Sequence, residues 1–107
     1  MVEKRLFLRI PLSVPIEFRR VGYTIDESNV SRDLSVQGVR FLSHRFVPVE
    51  TYIRVQLYLK DNFEAVKFVA KVVWIKALYN DELFEIGARI WDISSDNTLF
   101  LREALNL

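Results

Sequence analysis

Cysteine is absent from the 107 residues. Its absence excludes disulfides, thiolate metal sites and cysteine nucleophiles together. Histidine is reduced to His44. Without a second histidine or a thiolate, neither a metal centre nor a histidine-assisted nucleophile is expected. With three glycines there is no Gly-rich phosphate loop, and each glycine becomes a position where a missing Cβ calls for a reason. No apolar run approaches the ~18 residues of a membrane span. The basic start Met1–Arg5 is followed by a stretch that Arg9 and Pro11 interrupt, which does not fit a signal peptide. A dominant charge is also missing: 15 Lys/Arg face 14 Asp/Glu, for a net +1, which argues against a general polyanion binder. These absences predict a non-enzymatic, cytoplasmic domain with no metal, no cofactor and no membrane insertion.

What is present is a pattern of period two. Ile53, Val55, Leu57 and Leu59 share one face of a segment whose other face carries Arg54, Gln56 and tyrosine rings. Val14, Ile16 and Phe18 alternate in the same way, as do Phe84, Ile86, Ala88 and Ile90. Residues 66–76 read as a long strand, with Val66, Phe68, Ala70 and Val72 on the core side, and Val39–Leu42 as a short one. Thr24–Asn29, Lys60–Asn62 and Tyr79–Glu82 read as turns. Ser94–Asn97 offer N-cap oxygens to a final helix with Leu99, Phe100, Ala104 and Leu105 on one face. Many short strands in one small domain predict an antiparallel barrel, residues 13–107, with a short C-terminal helix. Residues 1–12 lack a sustained alternation and read as a flexible arm.

Charge is unevenly spread. Residues 1–45 hold eight Lys/Arg and five Asp/Glu, a balance of +3, and residues 46–107 hold seven and nine, a balance of −2. On charge alone a solvated surface explains this better than a small anionic partner does. Two spacings stand out in the basic part. Arg5-Leu6-Phe7-Leu8-Arg9 is an RxxxR pattern, and Asp33-Leu34-Ser35-Val36-Gln37-Gly38 is DxSxxG. Ten arginines produce about one RxxxR by chance, whereas this composition produces (D/N)xSxxG about 2% of the time, so the second carries the weight.

An RxxxR arm followed some two dozen residues later by (D/N)xSxxG resembles the PilZ domain family. The resemblance continues through Gly38-Val39-Arg40-Phe41, Ala70-Lys71-Val72-Val73-Trp74 and Ile86-Gly87-Ala88-Arg89-Ile90 to the last helix. It implies a six-stranded antiparallel barrel and a bacterial second-messenger receptor for cyclic di-GMP, acting on motility, biofilm or envelope functions through an effector protein. On this resemblance Arg5 and Arg9 grip guanine or phosphate from the arm. A guanidinium fork fits the O6/N7 acceptor pair of guanine, which lysine cannot match. Asp33 and Ser35 take another guanine edge, and Gly38 lets the ligand approach. Lys4 occupies the position associated with binding one or two nucleotides. Arg32 and Trp74 are further candidates, Trp74 equally suited to the core because it continues the alternation of Val72. The residues also fit solvated arginines and a side-chain-capped turn at Asp33 and Ser35. Two other functions remain open: a PilZ-like adaptor that ignores nucleotide, and a barrel binding single-stranded nucleic acid through arginine and aromatic residues.

Overall fold

A computed structural model of the chain describes residues 9–59 and 65–107. The alternating segments pair with one another so that their apolar faces meet. Strand β2 (Pro15–Arg20) is antiparallel to β5 (Tyr52–Leu57), with Ile16 opposite Leu57 and Phe18 opposite Val55. Strand β5 pairs with β6 (Val66–Leu78), β6 with β7 (Leu83–Asp92) and β7 with β4 (Gly38–Ser43). Strand β3 (Glu27–Leu34) joins β4 to β2 and closes a six-stranded antiparallel barrel. A short seventh strand, β1 (Ile10–Pro11), lies along the end of β3, with Ile10 opposite Leu34 and Pro11 opposite Asp33.

Every residue expected on the core faces of the strands is buried except Leu59 and Ile90, which are half-buried against the same cluster. Phe18 and Phe41 meet inside with ring centroids 4.8 Å apart. Each such side chain contributes about 1.5–3 kcal/mol through burial. The β6–β7 hairpin turns at Tyr79–Glu82, as its sequence suggested. Tyr79, Asn80 and Asp81 adopt φ of 48°, 59° and 66°, and short polar Asn and Asp tolerate this region best. The turn expected at Lys60–Asn62 lies outside the described residues.

Three readings of the sequence need correction. Glu27–Asn29, read as the end of a turn, begin β3. That strand was hidden because its fully buried side chain at position 31 is a serine. Ser31 stitches the break between β1 and β2: its hydroxyl accepts from Val14 N–H at 3.0 Å and donates to the Leu12 carbonyl at 2.6 Å. Secondly, helix α1 (Ser95–Ala104), capped by the Ser94 side chain on Asn97 N–H, buries Leu101, with Leu105 just beyond its end. Leu99 and Phe100, expected on that face, are exposed, because the spacing that reaches the barrel is 101 and 105, one helical turn apart. Thirdly, Ile10 and Pro11, read as lying in a segment without regular structure, are paired with β3. Among the described residues no helix is long and apolar enough to cross a membrane.

Candidate functional site

The DxSxxG segment builds the β3–β4 hairpin. Leu34 pairs with Val39, and Asp33 pairs with Arg40. Ser35 holds the connection between them: its hydroxyl oxygen accepts from Gln37 N–H at 3.1 Å and from Gly38 N–H at 3.2 Å. Gly38 is required by the barrel wall. A Cβ there would lie 2.4 Å from the Ala88 carbonyl oxygen, in the backbone of β7. A neighbouring strand therefore approaches Gly38 closely.

A bulge at Arg32 shifts the β3–β4 register between Ser31 and Asp33. It lets Ser31 face inward while Asp33, two residues on, faces the outer wall. There the Asp33 carboxylate is only 9% exposed and is shared by two guanidiniums. Arg9 Nη1 donates to Oδ1 at 2.6 Å, while Arg40 Nε donates to Oδ2 at 2.8 Å with its Nη2 at 2.7 Å. Arg40 also reaches Glu85 on β7 (Nη1 to Oε1, 3.4 Å), and Arg32 lies 3.9 Å from the same carboxylate. Taking a carboxylate this far from water costs several kcal/mol unless it is paired, and the two arginines supply that pairing. Three guanidiniums on two carboxylates leave this cluster with a net positive charge, suited to an anion.

The site extends sideways along one register. Asp33 of β3 is opposite Arg40 of β4, which is opposite Gly87 of β7, which is opposite Trp74 of β6. At ~4.8 Å per strand the row is about 14 Å long, wide enough for a dinucleotide lying on the wall. Trp74 reaches this wall because a second bulge, between Val72 and Trp74, reverses the alternation. Its ring lies on the Gly87 backbone, so close that a Cβ at position 87 would meet Nε1 at 2.1 Å. Trp74 is thus not a core residue, as continuation of the Val72 alternation would have made it. Gly87→Ala is expected to lift this ring at a cost of about 1–3 kcal/mol. In a Trp91→Phe background the fluorescence of Trp74 should shift to longer wavelength, and an unchanged spectrum would show that the ring does not rest on Gly87.

Among the sequence candidates, Arg9, Asp33, Ser35, Gly38, Arg32 and Trp74 fall in or beside this row. Lys4 and Arg5 lie outside the described residues. Two members were missed, Arg40 and Glu85. A signal for Arg40 was available: a hairpin turning at 35–37 sets residue 40 opposite residue 33. Nothing in the sequence marked Glu85, an ordinary outward glutamate in an alternating strand. The row is an open wall. A cavity of about 500 Å³ between the loops at 20–25 and 45–47 contains none of these residues.

A search of curated protein sequences finds no match. Solved structures do resemble the chain. The Bacillus subtilis inhibitor of motility, MotI/DgrA, superposes with a TM-score of 0.74 at 12% identity over 94% of this chain and 49% of that one. The chain thus spans about half of that protein's length. The PilZ domain of Escherichia coli YcgR, solved with c-di-GMP, gives 0.69 at 14% identity over 94% of this chain and 88% of that one. The PilZ domain of CeSA from a cellulose-synthesizing bacterium gives 0.65 at 19% identity, covering 92% and 96%. At these identities the likeness is one of fold. The sequence itself matches the PilZ domain family over residues 3–106, nearly its whole length, and the chain belongs to that family.

Proposed function

We propose that the chain is a cyclic di-GMP receptor that passes the level of this second messenger to an effector protein. One observation carries the reading: Arg9 of the first motif and Asp33 of the second, 24 residues apart, meet on the outer wall at 2.6 Å. Each has a partner on guanine. The carboxylate accepts from the N1–H and N2–H₂ edge, and the guanidinium donates to O6 and N7. Trp74 offers an aromatic face at the other end of the row, where a purine stacks at about 1–3 kcal/mol. Arg5 and Lys4 complete the grip from the arm. Family membership supports the ligand class, as does the c-di-GMP in the YcgR domain. Closure of the arm over the nucleotide changes the surface beside β1, and the effector reads that change.

A thermal-shift series with cyclic di-GMP, cyclic di-AMP and a short single-stranded oligonucleotide tests the ligand class. Ligand at one hundred times its dissociation constant stabilises by about 2.7 kcal/mol, which raises the melting temperature of a domain this size by roughly 10 °C or more. Cyclic di-GMP alone should do this. An equal shift with the adenine dinucleotide would remove the guanine-reading role of Asp33. A shift with the oligonucleotide that collapses in salt would favour polymer binding instead.

A further inference from the structure

Asp33 has two oxygens, and the two arginines divide them. Arg9 holds Oδ1 from the arm side and is half exposed, whereas Arg40 holds Oδ2 through two nitrogens from the neighbouring strand β4 and is about one-third exposed. Arg40 is fixed by strand pairing on both sides, to Asp33 and to Gly87, and its third nitrogen is tied to Glu85. Guanine presents two donors side by side, so a carboxylate that reads it must turn Oδ1 outward and keep a lone pair of Oδ2 available. Arg9 occupies that outward oxygen. A nucleotide arriving there displaces Arg9 to the guanine acceptor edge or a phosphate. Asp33 would then lose half of its pairing while being buried further.

We propose that Arg40 is the positioning residue of this site: it stays on Oδ2 when Arg9 leaves Oδ1, and holds the carboxylate paired and aimed at the guanine. The inference rests on the cyclic di-GMP reading above. It assigns Arg40 no contact with the ligand. Its effect on binding passes through Asp33, with Glu85 as the anchor that keeps the guanidinium against the wall.

The test is a titration of cyclic di-GMP into the full chain, its Arg40→Gln, Arg40→Lys and Asp33→Asn variants, and the Asp33→Asn/Arg40→Gln double variant. Circular dichroism checks that each variant folds. Arg40→Gln should weaken binding about tenfold, the scale of one lost charge-assisted hydrogen bond. It should also narrow discrimination against cyclic di-AMP. Arg40→Lys should recover part of the loss, because the charge remains and the fork does not; it also serves if Arg40→Gln does not fold. Asn at 33 keeps an acceptor for guanine but no charge for Arg40. In that background Arg40→Gln should therefore change affinity less than about twofold, the non-additivity expected of coupled groups. Equal losses in both backgrounds would mean that Arg40 touches the nucleotide or acts on the fold, and would overturn the proposal. Wild-type-like binding by Arg40→Gln would overturn it too, with the receptor reading left standing. Failure of the unaltered chain to bind would remove both.

Discussion

Arg9→Ala is expected to lower the affinity for cyclic di-GMP by at least one to two decades while the barrel remains folded. The side chain is half exposed and lies beside a two-residue strand. Its loss removes one of two partners from Asp33, but Arg40 keeps the carboxylate paired. The stability cost should therefore stay within about 1 kcal/mol, the range of exposed ion pairs. In the complex the guanidinium is desolvated against guanine or phosphate, where a bidentate contact discriminates by about 1–3 kcal/mol. That alone gives roughly ten- to hundredfold, and loss of arm closure adds to it. Arg9→Lys should recover little, since an ammonium lacks the fork. Near-wild-type binding by Arg9→Lys would reduce the contact to diffuse charge. Melting of the Arg9→Ala variant would make the arginine structural.

Gly38→Ala is expected to damage the barrel itself. The new Cβ meets a main-chain carbonyl oxygen at 2.4 Å, and a strand paired on both sides cannot retreat as a flexible side chain would. Around this point β7 is also held by Ile90 N–H donating to the Gln37 carbonyl, so the hairpin turn and the strand must shift together. Overpacking of this kind costs about 1–3 kcal/mol and sometimes more. For a domain of this size that is a fall of roughly 5–20 °C in melting temperature. Binding should fall with it, because Asp33 and Arg40 flank the same turn. A Gly38→Ala variant melting within about 2 °C of the parent would show that the glycine serves the ligand and not the wall.

The contrast between these two residues shows where the sequence was legible. Alternation disclosed β2, β5, β6 and β7, because each buries aliphatics on one face against the same core. It failed for β3, whose inward position in mid-strand is Ser31 and whose one apolar residue there, Val30, is exposed. It also misplaced Trp74, since a bulge adds one residue and sends everything beyond it to the other face. The two motifs located Arg9, Asp33, Ser35 and Gly38, but not why each is there. Ser35 and Gly38 have structural work in the hairpin, which a spacing pattern cannot separate from ligand contact. Arg9 read as a ligand-gripping residue of the arm, or a solvated one, and in the structure it has a carboxylate partner. That partner, and its second partner Arg40, emerge only when β3 and β4 are set in register.

The proposed function turns on whether the wall from Asp33 to Trp74, with Arg9 beside it, binds cyclic di-GMP. Isothermal titration of the purified full chain with cyclic di-GMP tests this most directly. A saturable exchange of heat is expected, ending at one or two nucleotides per chain, with cyclic di-AMP giving none at the same concentrations and with Asp33→Ala abolishing the signal. No heat beyond dilution up to millimolar nucleotide, from a chain whose circular dichroism shows a folded barrel, would contradict it and leave an adaptor that does not bind the nucleotide.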